Sequence, residues 1–249
     1  MKTSLMTGRR GGRTVVVTVM GAILGLAAAP ASAGSVAFPD FSNVGGLRLN
    51  GSAQAEGGVL RLTQNSGDQA GSAFSEAKVV NPSKSIRTKF RFRIHDSGDP
   101  ADGLAFVIHR DPRGAEALGS NGHHLGYGER EDEQVRIRRS VAVEFNLHYG
   151  RSQGRVRVRT NGRTDRAPLA SAGMNMYDRD WRVWIAYSPN TERLKVFVAQ
   201  SDTKPDRPRL VTKVDLAEVL GGTGHAGFTA ATGGAAAVHD IQSWRMRNP

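Results

Sequence analysis

The 249-residue chain has no cysteine, so no disulfide can staple it and no thiol can act as nucleophile or metal ligand. Aromatic residues make up only 6%, a poor composition for a nucleic-acid binder. Past residue 33 there is no uncharged run approaching the roughly 20 apolar residues needed to span a bilayer. Helical periodicity is nearly absent as well. The one plausible helix runs over Val214–Leu220 and is closed by Gly221-Gly222, a stop signal. Acidic residues are outnumbered, 23 against 34 Lys and Arg.

The first 33 residues account for part of that imbalance. Lys2, Arg9, Arg10 and Arg13 precede an uncharged run from Thr14 to Ala29, followed by Ala31-Ser32-Ala33. Charged region, apolar region and small-residue cleavage site in that order read as a secretory signal peptide over 1–33. Arg9-Arg10 leaves both the Sec and the twin-arginine route open. The expected mature chain is 34–249, secreted, with no membrane span after cleavage. The leader holds four of the 34 basic residues and no acidic one, which leaves 30 against 23, or +7. Such a surplus favours anionic partners kinetically and says nothing about fold. A chain above about 150 residues can bury most of its surface without disulfides, so a single domain is expected over 34–249.

Strand patterns dominate the mature chain. Ile86, Phe90, Phe92 and Ile94 alternate with Arg87, Lys89, Arg91 and Arg93, a period of two with a basic outer face. Arg155, Arg157 and Arg159 alternate with Val156 and Val158 and lead into the turn signal Asn161-Gly162. Trp181, Val183, Ile185 and Tyr187 alternate in turn, and after Ser188-Pro189-Asn190 the return strand carries Leu194, Val196 and Val198. Many short strands separated by turns imply an all-β sandwich or barrel. Both basic faces read as solvated sides of antiparallel sheets, where cations also discourage edge pairing. A grip on an anionic polymer is the alternative.

Few residues could carry chemistry. Asp102, between Ala101 and Gly103, sits at a strand mouth, where a carboxylate can accept charge-strengthened hydrogen bonds from a polyol. Glu144 shares one face of an apolar strand with Ala142 and Asn146, and needs a partner or a cation if buried. Gly119 and Gly122 would let a backbone amide approach a ligand, and Thr232–Ala237 is a second small-residue loop. A glycoside hydrolase needs two carboxyl groups, but the face of Glu144 offers only Ala142, Asn146 and His148. With no Gly-x-Ser-x-Gly element either, no enzyme is expected. His109, His123, His124 and His148 show no metal-ligand spacing and read as solvated loop histidines.

In order along the chain stand Ala101-Asp102-Gly103-Leu104-Ala105-Phe106, Leu125-Gly126-Tyr127, Val141-Ala142-Val143-Glu144-Phe145, Gly227-Phe228-Thr229-Ala230 and His239-Asp240-Ile241-Gln242-Ser243-Trp244. The ordered set resembles the L-type lectins, the legume lectins and their bacterial relatives, over nearly all of the mature chain. The resemblance implies a concanavalin-like jelly-roll β-sandwich of antiparallel sheets with a shallow sugar site in loops at one edge. It assigns Asp102 to accept hydrogen bonds from sugar, often after a cis peptide. It assigns Gly122 (Gly119 less so) to donate a backbone amide, and Gly234 and Ala235 to further backbone contacts. The expected partner is a glycan or cell-envelope polysaccharide, and an oligomer is possible.

The resemblance also implies a calcium ion and a transition metal such as manganese, but the sequence departs from that pattern. Glu144 is kept, Asn146 replaces the first aspartate, no Asn or Asp lies between Leu147 and Gly154, and Arg155 falls near the place of the histidine. Calcium takes six to eight oxygen ligands, which Glu144 and Asn146 cannot supply, so these two read as remnants and no cofactor is expected. Arg155 is expected to replace the cation and pair with Glu144. The leading expectation is a secreted, non-enzymatic sugar-binding protein. A structural or adhesion module that has lost sugar binding is the alternative.

Overall fold

A computed structural model describes residues 34–95, 97–130, 135–148 and 154–249. The expected leader, 1–33, lies outside the described residues, as does 149–153. In chain order the strands are β1 (Ser35–Phe38), β2 (Leu47–Gly51), β3 (Gln54–Glu56), β4 (Val59–Thr63), β5 (Ala70–Ser75), β6 (Ile86–His95), β7 (Gly103–His109) and β8 (Ser140–Asn146). They continue with β9 (Arg155–Thr160), β10 (Ala170–Gly173), β11 (Trp181–Ser188), β12 (Arg193–Ala199), β13 (Leu210–Lys213), the helix α1 (Leu216–Leu220), β14 (His225–Ala231) and β15 (Val238–Arg247).

Two antiparallel sheets result. One runs β13-β12-β11-β6-β15-β4-β3 with β1 also paired to β15, and the other runs β10-β9-β8-β7-β14-β5-β2. The sandwich begins at β1. The scarce aromatics are concentrated where the sheets meet. Phe90 stands 5.0 Å from Phe228, Phe92 4.8 Å from Phe145, and Phe228 5.1 Å from Trp244 between ring centroids. Trp244 donates its indole N–H to Thr88 Oγ1 at 3.0 Å, so its one polar atom is satisfied inside the core. The expected helix forms as α1: Asp215 caps it by accepting from the Glu218 N–H, and Gly221 closes it at φ 64°.

The outer face of the seven-stranded sheet departs from expectation. It carries a second apolar layer in which Leu125, Tyr127 and Ile137 cover Phe74, Val107 and Ala142. Arg157 and Arg159 are consequently only 8% exposed. The β9 arginines are therefore not the solvated face expected of them, and only Arg155 at the strand's start is exposed. On β6 the period of two holds as read, with its apolar side buried and its cations outward.

Candidate functional site

Asp102 leads into β7 after a cis Ala101–Asp102 peptide. Its backbone is fixed on both sides: its N–H donates to Ala231 O at 3.1 Å, and its carbonyl accepts from the Leu147 N–H at 2.7 Å. Gly103 follows at φ 134°, and a Cβ there would lie 2.2 Å from Phe145 O. Only glycine permits that approach. Three segments, 99–102, 147–148 and 233–235, are thereby gathered at one edge of the sandwich.

They surround a cavity of about 330 Å³ that Asp102, Gly122, Gly234 and Ala235 all line, joined by His123, Leu147, His148 and Gly233. The four residues expected at a sugar site are thus brought together. Asp102 is 4% exposed, and its two oxygens are treated differently. Oδ1 lies 3.0 Å from His148 Nδ1, whereas the buried Oδ2 makes no well-formed hydrogen bond. Burial pushes the Asp102 carboxyl above its ordinary range, opposed by the His148 hydrogen bond and charge, by the charge of His123 and by the Gly233 backbone N–H. A Cβ at Gly233 would sit 3.2 Å from Oδ2, and one at Gly122 3.9 Å from it. Two glycines therefore frame the free oxygen.

Gly122 takes a different part from the one expected. Its N–H donates to Thr232 O at 3.0 Å, so the amide ties two loops together and is not turned to a ligand. The second loop is anchored at both ends. Thr232 Oγ1 donates to Ser66 O at 2.7 Å, and Thr63 Oγ1 donates to Ala237 O at 3.0 Å. Thr63 is in turn 2.6 Å from Nδ1 of the buried His239. Burial holds His239 down to about 3, so it packs as neutral imidazole.

The histidines also depart from the solvated placement expected of them. His109 is fully buried, with burial and His225 holding it down to about 3. His124 is buried with Nδ1 2.7 Å from Thr164 Oγ1. His148, 43% exposed in its side chain, is a partner of Asp102. A histidine two residues beyond Asn146 gave no sign of this, because the contact joins two loops far apart in the chain.

Glu144 was expected to pair with Arg155, and does not. Across β8 and β9, Arg155 lies opposite Asn146, and Arg157 opposite Glu144. Arg159 Nε approaches Glu144 Oε1 to 3.0 Å, both side chains being nearly buried. Tyr127 donates its hydroxyl to the same oxygen. Burial pushes Glu144 upward against the opposing charge of Arg159, and burial with the neighbouring carboxylate pushes Tyr127 well above its ordinary value.

Among the described residues, Glu144 and Asn146 do not fit the calcium and manganese of the resembled family. Glu144 is engaged by a guanidinium and a phenol, and Asn146 Oδ1 accepts the His148 N–H at 3.0 Å. Among the described residues no three His, Asp or Glu side chains converge as metal ligands.

Two antiparallel sheets in this order form the β-sandwich of a lectin-like domain. The chain belongs to the legume lectin domain family, whose profile it matches over residues 33–249, a non-catalytic carbohydrate-binding family. An Arabidopsis thaliana protein described as a probable inactive L-type lectin-domain containing receptor kinase III.1 is 30% identical over 214 residues, covering 75% of this chain and 33% of the relative. The mannose/glucose-specific lectin of Centrolobium tomentosum is 28% identical over 182 residues, 67% of this chain and 70% of the lectin. Among solved structures, the Bauhinia forficata lectin in complex with GalNAc superposes with a TM-score of 0.69 at 22% identity, over 86% of this chain and 97% of its own. The winged bean acidic lectin complexed with methyl-α-D-galactose gives 0.69 at 23%, over 85% and 96%. The chain spans about a quarter to a third of the length of the receptor kinases it matches.

Proposed function

We propose that this is an exported, non-catalytic sugar-binding protein that holds a hexose in the pocket around Asp102 without a resident metal. The observation that carries the reading is Asp102 Oδ2, a buried carboxylate oxygen that makes no well-formed hydrogen bond, framed by Gly122 and Gly233. Leaving such an oxygen unsatisfied is costly, and a sugar hydroxyl is the donor a pocket of this size and openness admits. His148 holds the other oxygen and so orients the carboxylate with a side chain. Gly234, where a Cβ would meet nothing within 4 Å, and Ala235 leave room for a pyranose ring at the rim.

Relatives whose names mention sugars include a mannose/glucose-specific lectin and lectins complexed with GalNAc and methyl-α-D-galactose, which supports a hexopyranoside as the ligand class. The Ala- and Gly-rich leader with its Ala31-Ser32-Ala33 site supports export. The arrangement of Glu144 with Arg159 and Tyr127 supports independence from metal. A glycan array read with and without chelator tests the proposal. Hits that survive chelation and vanish in Asp102→Asn support it, and an array without hits in either condition removes it.

A further inference from the structure

The outer face of the eight-stranded sheet is a second surface with its own chemistry. Antiparallel register sets side chains in rows across it. Lys195, Ala186, Arg87 and Arg247 form one row, because Lys195 is opposite Ala186, Ala186 opposite Arg87, and Arg87 opposite Arg247. The next row holds Phe197, Trp184, Lys89 and Arg245, and the third holds Arg182, Arg91 and Ser243. Neighbours within a row are about 5 Å apart and rows about 7 Å apart. Six cations, Arg87, Lys89, Arg91, Lys195, Arg245 and Arg247, thus share an area roughly 15 Å across, with no carboxylate in an ion pair with any of them among the described residues. The carboxylates at the border are already taken. Asp178 pairs with Arg93, Asp202 with Arg182, and Asp240 with Arg61.

We propose that this face binds a linear acidic polysaccharide of the uronate type. Like charges packed this closely repel, and an anionic polymer relieves that repulsion. The same charge opposes docking of a second copy of this chain face to face. Guanidinium groups match carboxylates in planar, two-pronged geometry. The open sheet face suits an extended polymer and offers no helix or β-ribbon to enter a DNA groove. Nor does it offer a free ring for an unstacked base. Lys89 Nζ stands over the Trp184 ring at 5.1 Å, Phe197 is buried, and Lys204 Nζ covers its ring at 3.7 Å. A membrane surface is less well matched, since Val211 alone among the exposed large apolar side chains lies in these rows. This surface lies on the sheet opposite the strands that present Asp102 and does not depend on the pocket.

Binding of the chain to polygalacturonate at low salt tests the assignment, with neutral dextran, a short duplex DNA and phosphatidylserine vesicles as comparisons. The expected result is saturable binding to polygalacturonate that weakens with added salt and exceeds binding to the other three. Replacing Arg87, Arg245 and Arg247 together by Gln is expected to weaken it about tenfold or more, with the melting temperature kept. Removing the same amount of charge elsewhere, through Arg48→Gln, Lys78→Gln and Arg155→Gln, is expected to change it about twofold or less. Lys89→Gln with Lys195→Gln provides a second variant of the face should the arginine triple fail to fold. Asp102→Asn is expected to leave polymer binding unchanged, which separates this surface from the pocket. Equal losses from the face and control variants, no binding to polygalacturonate, or tighter binding to DNA or vesicles would overturn the assignment.

Discussion

Arg159 Nε lies 3.0 Å from Glu144 Oε1, diagonally across β9 and β8, with both side chains nearly buried. This ion pair stands in place of the one expected with Arg155. Removing one partner of a buried pair strands the other charge, at a cost of about 3–5 kcal/mol. Arg159→Ala is therefore expected to destabilise the domain on that order, while Arg155→Ala, at an exposed position, should stay within about 0.5 kcal/mol. Urea unfolding of the two variants checks this, and equal losses would contradict the pairing.

Gly233 controls access to the free oxygen of Asp102. A methyl group there would sit 3.2 Å from Oδ2 and 3.3 Å from the Gly122 Cα. Gly233→Ala is expected to weaken sugar binding about tenfold, as crowding of this buried acceptor should, and to shift thermal stability little. Titration calorimetry with a sugar found on the array, beside a melting curve, separates the two effects. Unchanged affinity would remove Oδ2 from the contact.

Acid should weaken the sugar site earlier than it would an ordinary carboxylate. Burial raises the Asp102 carboxyl above its usual 3.8, and only the ionised group can accept hydrogen bonds at both oxygens. Affinity is expected to be full at neutral pH and to fall as pH drops through this raised value. An affinity that holds constant below the usual carboxylate range would contradict an ionised Asp102 in the complex.

Stability has an acid dependence of its own. His109 and His239 are buried and held down to about 3 from 6.5. The unfolded chain binds protons at these rings before the folded one does, so the stability they lend is present above about 6.5 and is lost as pH falls toward about 3. The raised carboxyls of Asp102 and Glu144 act in the opposite direction. Between neutral pH and about pH 5 the unfolded imidazoles, with an ordinary value of 6.5, take up protons that the buried rings do not, so the urea midpoint is expected to fall over that interval. A midpoint that rises over that interval would show that the carboxyls dominate.

The sandwich was legible because period-two patterning is local: the alternation along β6 and β11 is in the sequence and survives in the burial of every second residue. Asp102 was legible for a similar reason, lying in a short motif at a strand mouth. The partner of Glu144 was not, because it depends on how β8 and β9 align, and a shift of two residues exchanges Arg155 for Arg157 opposite it. The burial of β9 was hidden as well. Leu125, Tyr127 and Ile137, which cover that face, come from irregular chain between β7 and β8 and carry no periodicity. His148 meets Asp102 only once two loops 46 residues apart fold together.

The central claim is that Asp102 binds sugar in a site organised by side chains in place of metal ions. Calorimetric titration with an array-identified hexose, before and after chelator, tests it most directly. An ion that bound the native state would stabilise it, so the melting temperature belongs in the same experiment. Affinity and melting temperature unchanged by chelator, with binding abolished in Asp102→Asn, is the expected result. Loss of binding or a fall in melting temperature on chelation, restored by calcium or manganese, would contradict the account.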